Sequence, residues 1–402
     1  MNTPKVRLID KLYMLTLALL PVTFMYAVGP LDLDVVLMLA FFAIYLFSSK
    51  TLTLTAIGKV AAVLLGYTLL FTALNIAVGQ KYSPNSDIFF RAGRYCLYLC
   101  VVFLLGNKHV NYVSLMRIYR GVAIAASVYI ILQAVFYYGA GIELPYRIGG
   151  ASVSDDLTDV GRLRSFYSEP AELGYNLTPF IACSLFGKNY KSDPAKSNQT
   201  DALLVSIGIV LSTSGQGVLC IGMIWALWLV LRIIKEGFRT RDVLLLIGVV
   251  AAIIILYSTG ILEYTIGRAD NTGEGSAIDA RASGYVTLAI LSPLQLFFGT
   301  GFGNYITENV YDLSVFYAFV NYSSLAEFLF TYGIIGTALW VGFFVYLFRK
   351  GDAGAKVTIL ALLFMSLLGC PMTGKHFPLW LTLICLQTPE HLYIPALKSA
   401  EN

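Results

Sequence analysis

Charge is what this sequence has least of. Asp, Glu, Lys and Arg supply only 13% of its 402 residues, about half the share of an ordinary globular domain. A chain so poor in charge and so rich in apolar side chains, 57% of the total, is not an intrinsically disordered tail. With a net charge of +4 and no basic helix or aromatic stacking motif, it is not a nucleic-acid binder either. Histidine is nearly absent, at 3 residues. The closest approach to a metal site is the acidic run Asp155, Asp156 and Asp159, which reads as a solvated patch, so no metal and no cofactor is expected. Cys96, Cys100, Cys183, Cys220, Cys370 and Cys385 sit in or beside apolar runs, with no spacing that pairs them in a loop; they read as small packing residues.

What fills the sequence instead is a succession of long apolar stretches, with a mean hydropathy of +0.71. Taken as helices that each cross about 30 Å of hydrocarbon, they cover 12–28, 31–48, 56–78, 87–105, 119–140, 170–186, 201–213, 216–234, 242–260, 322–348, 355–370 and 377–393. The expected fold is all-α, a polytopic membrane helix bundle of about 12 transmembrane helices forming one integral membrane domain over 1–402. Barrel strands are short and alternate in polarity, so a β-barrel does not fit. The basic start before Leu12 lacks a small-residue cleavage pattern and reads as the flank of a retained first span. Lysines and arginines collect in alternate connections, among them the Arg232–Arg241 stretch. By the positive-inside rule those connections and both termini of this multi-pass protein are cytoplasmic, and the expected location is an inner (cytoplasmic) membrane, with the other side periplasmic in a Gram-negative host. Two long loops then face the other side, 141–169 and 261–321, the second holding an interfacial helix near Ala282 to Phe298.

Polar residues concentrate where the first of these loops enters the next apolar run. Pro170 suits a first helical turn, and Glu169, Glu172 and Asn176 recur at helical spacing. Capping and a hydrated cavity are both open as explanations. Arg91 and Arg94 share a helical face, where they either snorkel to lipid phosphates or build an anion site. Gly299-Thr300-Gly301-Phe302-Gly303 has no strand before it and is no dinucleotide motif, but a turn offering backbone N–H groups to an anion stays open.

Four stretches together carry a likeness: Gly161-Arg162-Leu163-Arg164-Ser165-Phe166-Tyr167-Ser168-Glu169-Pro170-Ala171-Glu172-Leu173-Gly174, the Leu211 to Gly217 hairpin, Arg281 through Gly303, and Asn321 through Gly336. In order and spacing they resemble the O-antigen polymerase and ligase (Wzy/WaaL) superfamily. The resemblance implies a metal-independent membrane glycosyltransferase on the periplasmic face of the inner membrane, active in lipopolysaccharide biosynthesis. Its partners would be a polyprenyl-diphosphate-linked oligosaccharide as donor and acceptor, membrane lipid, a chain-length-regulating co-polymerase and a flippase. The ligases of that superfamily carry a histidine just ahead of the span that begins here at Asn321; Phe319 and Val320 stand there instead, which favours the polymerase over the ligase. A transporter or a non-catalytic scaffold are the rivals from other classes. On this reading Arg164, Arg281, Arg91 and Arg94, with Arg162 and Arg268 behind them, hold the diphosphate. Glu169, then Glu172 and His376, are candidate bases. Tyr167, Tyr175 and Asn176 line the sugar.

Overall fold

The structure is a computed structural model, and it describes residues 7–28, 31–48, 55–78, 85–105, 110–146, 163–190, 198–237, 285, 288, 291–304 and 323–389. Helices dominate: α1 Leu8–Thr23, α2 Leu33–Ser48, α3 Ala56–Ala77, α4 Asn85–Leu105, α5 Tyr112–Ala140, α6 Pro170–Phe186, α7 Gln199–Leu211, α8 Gly215–Glu236, α9 Pro293–Phe298, α10 Ser324–Lys350, α11 Ala353–Leu368 and α12 Phe377–Leu386. Between α1 and α2 a short antiparallel ladder pairs β1, Ala27–Val28, with β2, Leu31–Asp32.

Helix starts follow side chains that accept from an otherwise unpaired N–H of the first turn. Thr55 accepts from Gly58, Asn111 from Ser114, Ser214 from Gly217, Ser323 from Ala326 and Asp352 from Ala355. Ser292 and Gln295 form a reciprocal capping box on α9. Gly141, at φ 67°, closes α5 in the left-handed region that glycine tolerates.

At the centre stand α6 and α12. Every residue from Leu173 to Ser184 and from Phe377 to Leu386 is buried. Around α6 pack α1, α5, α7, α8, α11 and α12, while α3, α4, α9 and α10 form a second group joined to it through α12 and α11. Pro179 interrupts the hydrogen bonding of α6, because it has no N–H to offer the carbonyl of Tyr175. The indole of Trp380 on α12 donates to that carbonyl instead, at 2.9 Å. Gly174 and Gly217 let α6 and α8 cross at backbone contact, since a Cβ at Gly217 would lie 3.4 Å from the Gly174 Cα.

The expected bundle of about a dozen transmembrane helices is corrected by this architecture. Among the described residues four helices are long and apolar enough to cross a membrane: α3, α5, α8 and α10. Several expected spans are apolar for another reason. The ten residues of α12 and the 17 of α6 are short of a span and buried on all sides by protein, so their apolarity belongs to the core. α1, α2 and α11 have 16 residues each and α7 has 13. Polar ties join these helices to their neighbours, such as the buried Asp10 carboxylate of α1 with Tyr45 of α2 and the part-buried bidentate pair of Asp201 on α7 with Arg120 on α5. The multi-pass inner-membrane placement, with both termini cytoplasmic and a periplasmic site, is corrected with it, since the side assigned to each loop depended on counting every span. The expected span 242–260 and most of the loop 261–321 lie outside the described residues.

Candidate functional site

One end of the bundle gathers the charged residues that sequence reading scattered. Arg94 on α4 reaches the Asp32 carboxylate on β2 and lies 3.7 Å from the Asp34 carboxylate in the first turn of α2. Asp34 is held in turn by the Tyr98 hydroxyl, which donates at 2.6 Å. The Arg94 guanidinium also sits 5.2 Å from the centroid of the Phe24 ring, and the Lys375 ammonium lies 3.5 Å from the same centroid. Lys375 pairs with the Glu172 carboxylate, whose other oxygen accepts from the Ser168 hydroxyl. The carbonyl of Ser168 accepts from Arg164 at 2.9 Å, and Arg164 lies over Tyr146 with its guanidinium carbon 3.6 Å from the ring centroid. A continuous arc results, from Arg164 through Ser168, Glu172, Lys375, Phe24 and Arg94 to Asp32 and Asp34.

Aromatic packing fixes the arc's two central cations. Tyr95, next to Arg94, stacks on Phe302 at 4.1 Å and on Phe377 at 6.1 Å, and Phe377 is two residues past Lys375. Between them His376 is buried, edge-on to Tyr175 at 5.4 Å, and its Nδ1 has no hydrogen-bond partner among the described residues. Burial, with Lys375 alongside, holds its imidazole well below the usual range, so His376 is neutral at pH 7. Tyr175 donates to the Gln216 side chain at 2.6 Å. The backbone of Gly369 lies so close that a Cβ there would meet the Tyr175 hydroxyl oxygen at 1.8 Å.

The structure thus brings together Glu172, Arg94, Arg164, His376 and Tyr175. Glu169 is the exposed N-cap of α6, with no side-chain cap bond. Arg91 is exposed on α4, where its Cβ would be met at 2.8 Å by one placed on Gly303. Tyr167 and Asn176 are buried, Asn176 donating to the Tyr167 hydroxyl at 2.7 Å and to the carbonyl of Ala18 at 3.1 Å, so that Asn176 ties α6 both to the segment before it and to α1. Burial pushes the Tyr167 phenol up, so it is a neutral donor and acceptor there. Arg162, Arg268 and Arg281 lie outside the described residues, as do Asp155, Asp156 and Asp159. Sequence reading missed Lys375, Phe24, Asp32 and Asp34. The one signal available was the Asp-x-Asp spacing at the start of α2.

The glycine cluster does not cradle an anion. Four successive N–H groups are engaged inside the protein: Gly299 to Gln295 O, Thr300 to Phe330 O, Gly301 to Thr331 O and Phe302 to the Thr72 hydroxyl. Phe330 and Thr331 can accept because α10 is broken at Gly333, whose φ of 62° takes the following residues out of the helical ladder. Thr68, Thr72 and Asn75, one stripe of α3, complete the arrangement, Asn75 donating to Gly299 O at 3.2 Å.

Among the described residues no group of three or more His, Cys, Asp or Glu side chains is placed to hold a metal ion. No protein-family model matches the chain, and no curated protein matches it. The resemblance to the O-antigen polymerase and ligase superfamily is therefore corrected. With it goes the metal-independent membrane glycosyltransferase of lipopolysaccharide synthesis, in its polymerase, ligase and transporter versions, since each rested on a dozen-span architecture that the helices do not supply.

Proposed function

We propose that the chain is a binding protein for a phosphate-bearing amphiphile with a hydroxyl-rich head, a class to which a polyprenyl-diphosphate-linked oligosaccharide belongs. The observation that carries the reading is the pair of cations, Arg94 and Lys375, drawn over the single Phe24 ring. Arginine offers a fork of donors suited to phosphate oxygens, and lysine a movable point charge. Asp32 and Glu172 alternate with them and suit the hydroxyl groups of a sugar, which donate to carboxylates. The tail has a surface to lie on: Leu69, Leu70 and Leu74 of α3 are exposed, and so are Phe89 and Phe90, about one helical turn before Arg94.

The test is equilibrium binding to the purified protein in non-ionic detergent, comparing a polyprenyl diphosphate carrying an oligosaccharide with a neutral glycolipid of equal chain length. Preference for the phosphate-bearing lipid, weakened about tenfold or more by Lys375→Gln, is expected from loss of a charge-assisted contact. Equal affinity for both lipids would reject it.

A further inference from the structure

Both central cations of the arc are already paired with carboxylates, so an incoming anion cannot simply add to them. We infer that Glu172 is a resident competitor: it occupies on Lys375 the place that a ligand's phosphate oxygen takes, and binding exchanges the one for the other. The inference rests on the binding reading above and adds the residue that sets its threshold.

Three features of the site make Lys375 the cation that changes partner. First, the lysine has a hold independent of Glu172, because its ammonium lies 3.5 Å from the Phe24 centroid and stays there whichever anion it meets. Second, the released carboxylate is not abandoned. Its other oxygen keeps the Ser168 hydroxyl, and Glu172 stands in the first turn of α6, where the N-terminal end of the helix dipole favours negative charge. Third, the pivot is fixed. His376 is buried against Tyr175 and Phe377 starts the fully buried α12, so the backbone at Lys375 is held and the ammonium, its side chain 10% exposed, exchanges one anion for another in place. Arg94 lacks this freedom, having two carboxylates, of which Asp34 is fully buried.

Removing the competitor should therefore strengthen binding, the reverse of what loss of a ligand contact does. Glu172→Gln keeps the shape and the Ser168 bond but releases Lys375. Titration of dodecyl phosphate into wild type, E172Q, K375Q and the double variant in non-ionic detergent, with dodecyl maltoside as the neutral reference, separates the possibilities. E172Q is expected to bind dodecyl phosphate up to about fivefold tighter than wild type. The same change in the K375Q background should do nothing, because Glu172 acts only through Lys375. E172Q binding equally or more weakly than wild type would overturn the inference, as would a gain that persists without Lys375. If neither wild type nor E172Q prefers the phosphate to the maltoside, the binding reading itself fails.

Discussion

Gly299→Ala is the sharpest perturbation the fold offers, because one methyl group meets two obstacles. Gly299 has φ 86° and ψ 169°, a region that is nearly glycine-only and costs other residues about 1–3 kcal/mol. The new Cβ would also lie 2.1 Å from the carbonyl oxygen of Thr331, a backbone atom that cannot rotate away. Forcing α9 and α10 apart adds an overpacking cost of about 1–3 kcal/mol. Together these amount to roughly 2–6 kcal/mol, a large part of the 5–15 kcal/mol by which folded proteins are stable. The control is Gly66→Ala on α3, where nothing lies within 4 Å of the added methyl and helix propensity favours alanine by about 1 kcal/mol. Unfolding of both variants in detergent, followed by tryptophan fluorescence, should show G299A losing most of its transition and G66A unchanged or more stable. A G299A midpoint equal to wild type would mean that the α9 loop is not lodged against the break in α10.

Asn75→Leu should cost about 1–3 kcal/mol in the same assay, since it removes the donor to Gly299 O and leaves that buried carbonyl unpaired. Arg120→Met should destabilise by only about 1 kcal/mol, because the arginine side chain is 43% exposed and the Asp201 carboxylate keeps the Tyr190 hydroxyl at 3.3 Å; Arg120→Lys, which keeps the charge and loses the fork, should cost less. His376 gives a pH signature. Its folded-state pKa is lowered, so below an unfolded value of about 6.5 the unfolded chain binds the extra proton. Stability is then full above that pH and falls as pH drops below it, and His376→Gln should flatten this part of the pH profile; a slope unchanged in the variant would show that another group titrates there.

Element boundaries were legible to the extent that local chemistry sets them. Pro170 marked the start of α6, and the Ser212 to Gly217 stretch marked a tight turn between two helices. Span counting failed for a physical reason. A run of apolar residues reports exclusion from water, whether by lipid or by protein, and α12 reads the same in either case until its buried circumference is seen. The site was half legible. Arg94, Arg164, Glu172 and His376 stood out as rare polar groups beside apolar runs. Their partners did not, because Phe24 and Lys375 are separated by most of the chain and meet only through the packing of α1, α4 and α12.

That packing also connects the glycine loop to the charged arc, which gives the loop a place in function without any contact to a ligand. Phe302 leaves the Gly299–Gly303 turn and stacks on Tyr95, the residue after Arg94, while the other stacked neighbour of Tyr95 is Phe377, two residues after Lys375. Gly303 allows the turn to approach α4 so closely that a Cβ there would lie 3.0 Å from the carbonyl of Ile88. The rotation of α4 about its axis, and with it the aim of the Arg94 guanidinium at Asp32 and Phe24, is thus set by a segment anchored to α3 and to the break in α10. The polar stripe Thr68, Thr72 and Asn75 then has a reason to exist on an otherwise apolar helix. Thr72 and Asn75 supply partners to irregular backbone buried away from water, where each unpaired group would be costly, and Thr68 meets the buried Tyr332 hydroxyl. Strain introduced at the turn should therefore reach the two cations through Tyr95, before any residue that touches the ligand is altered.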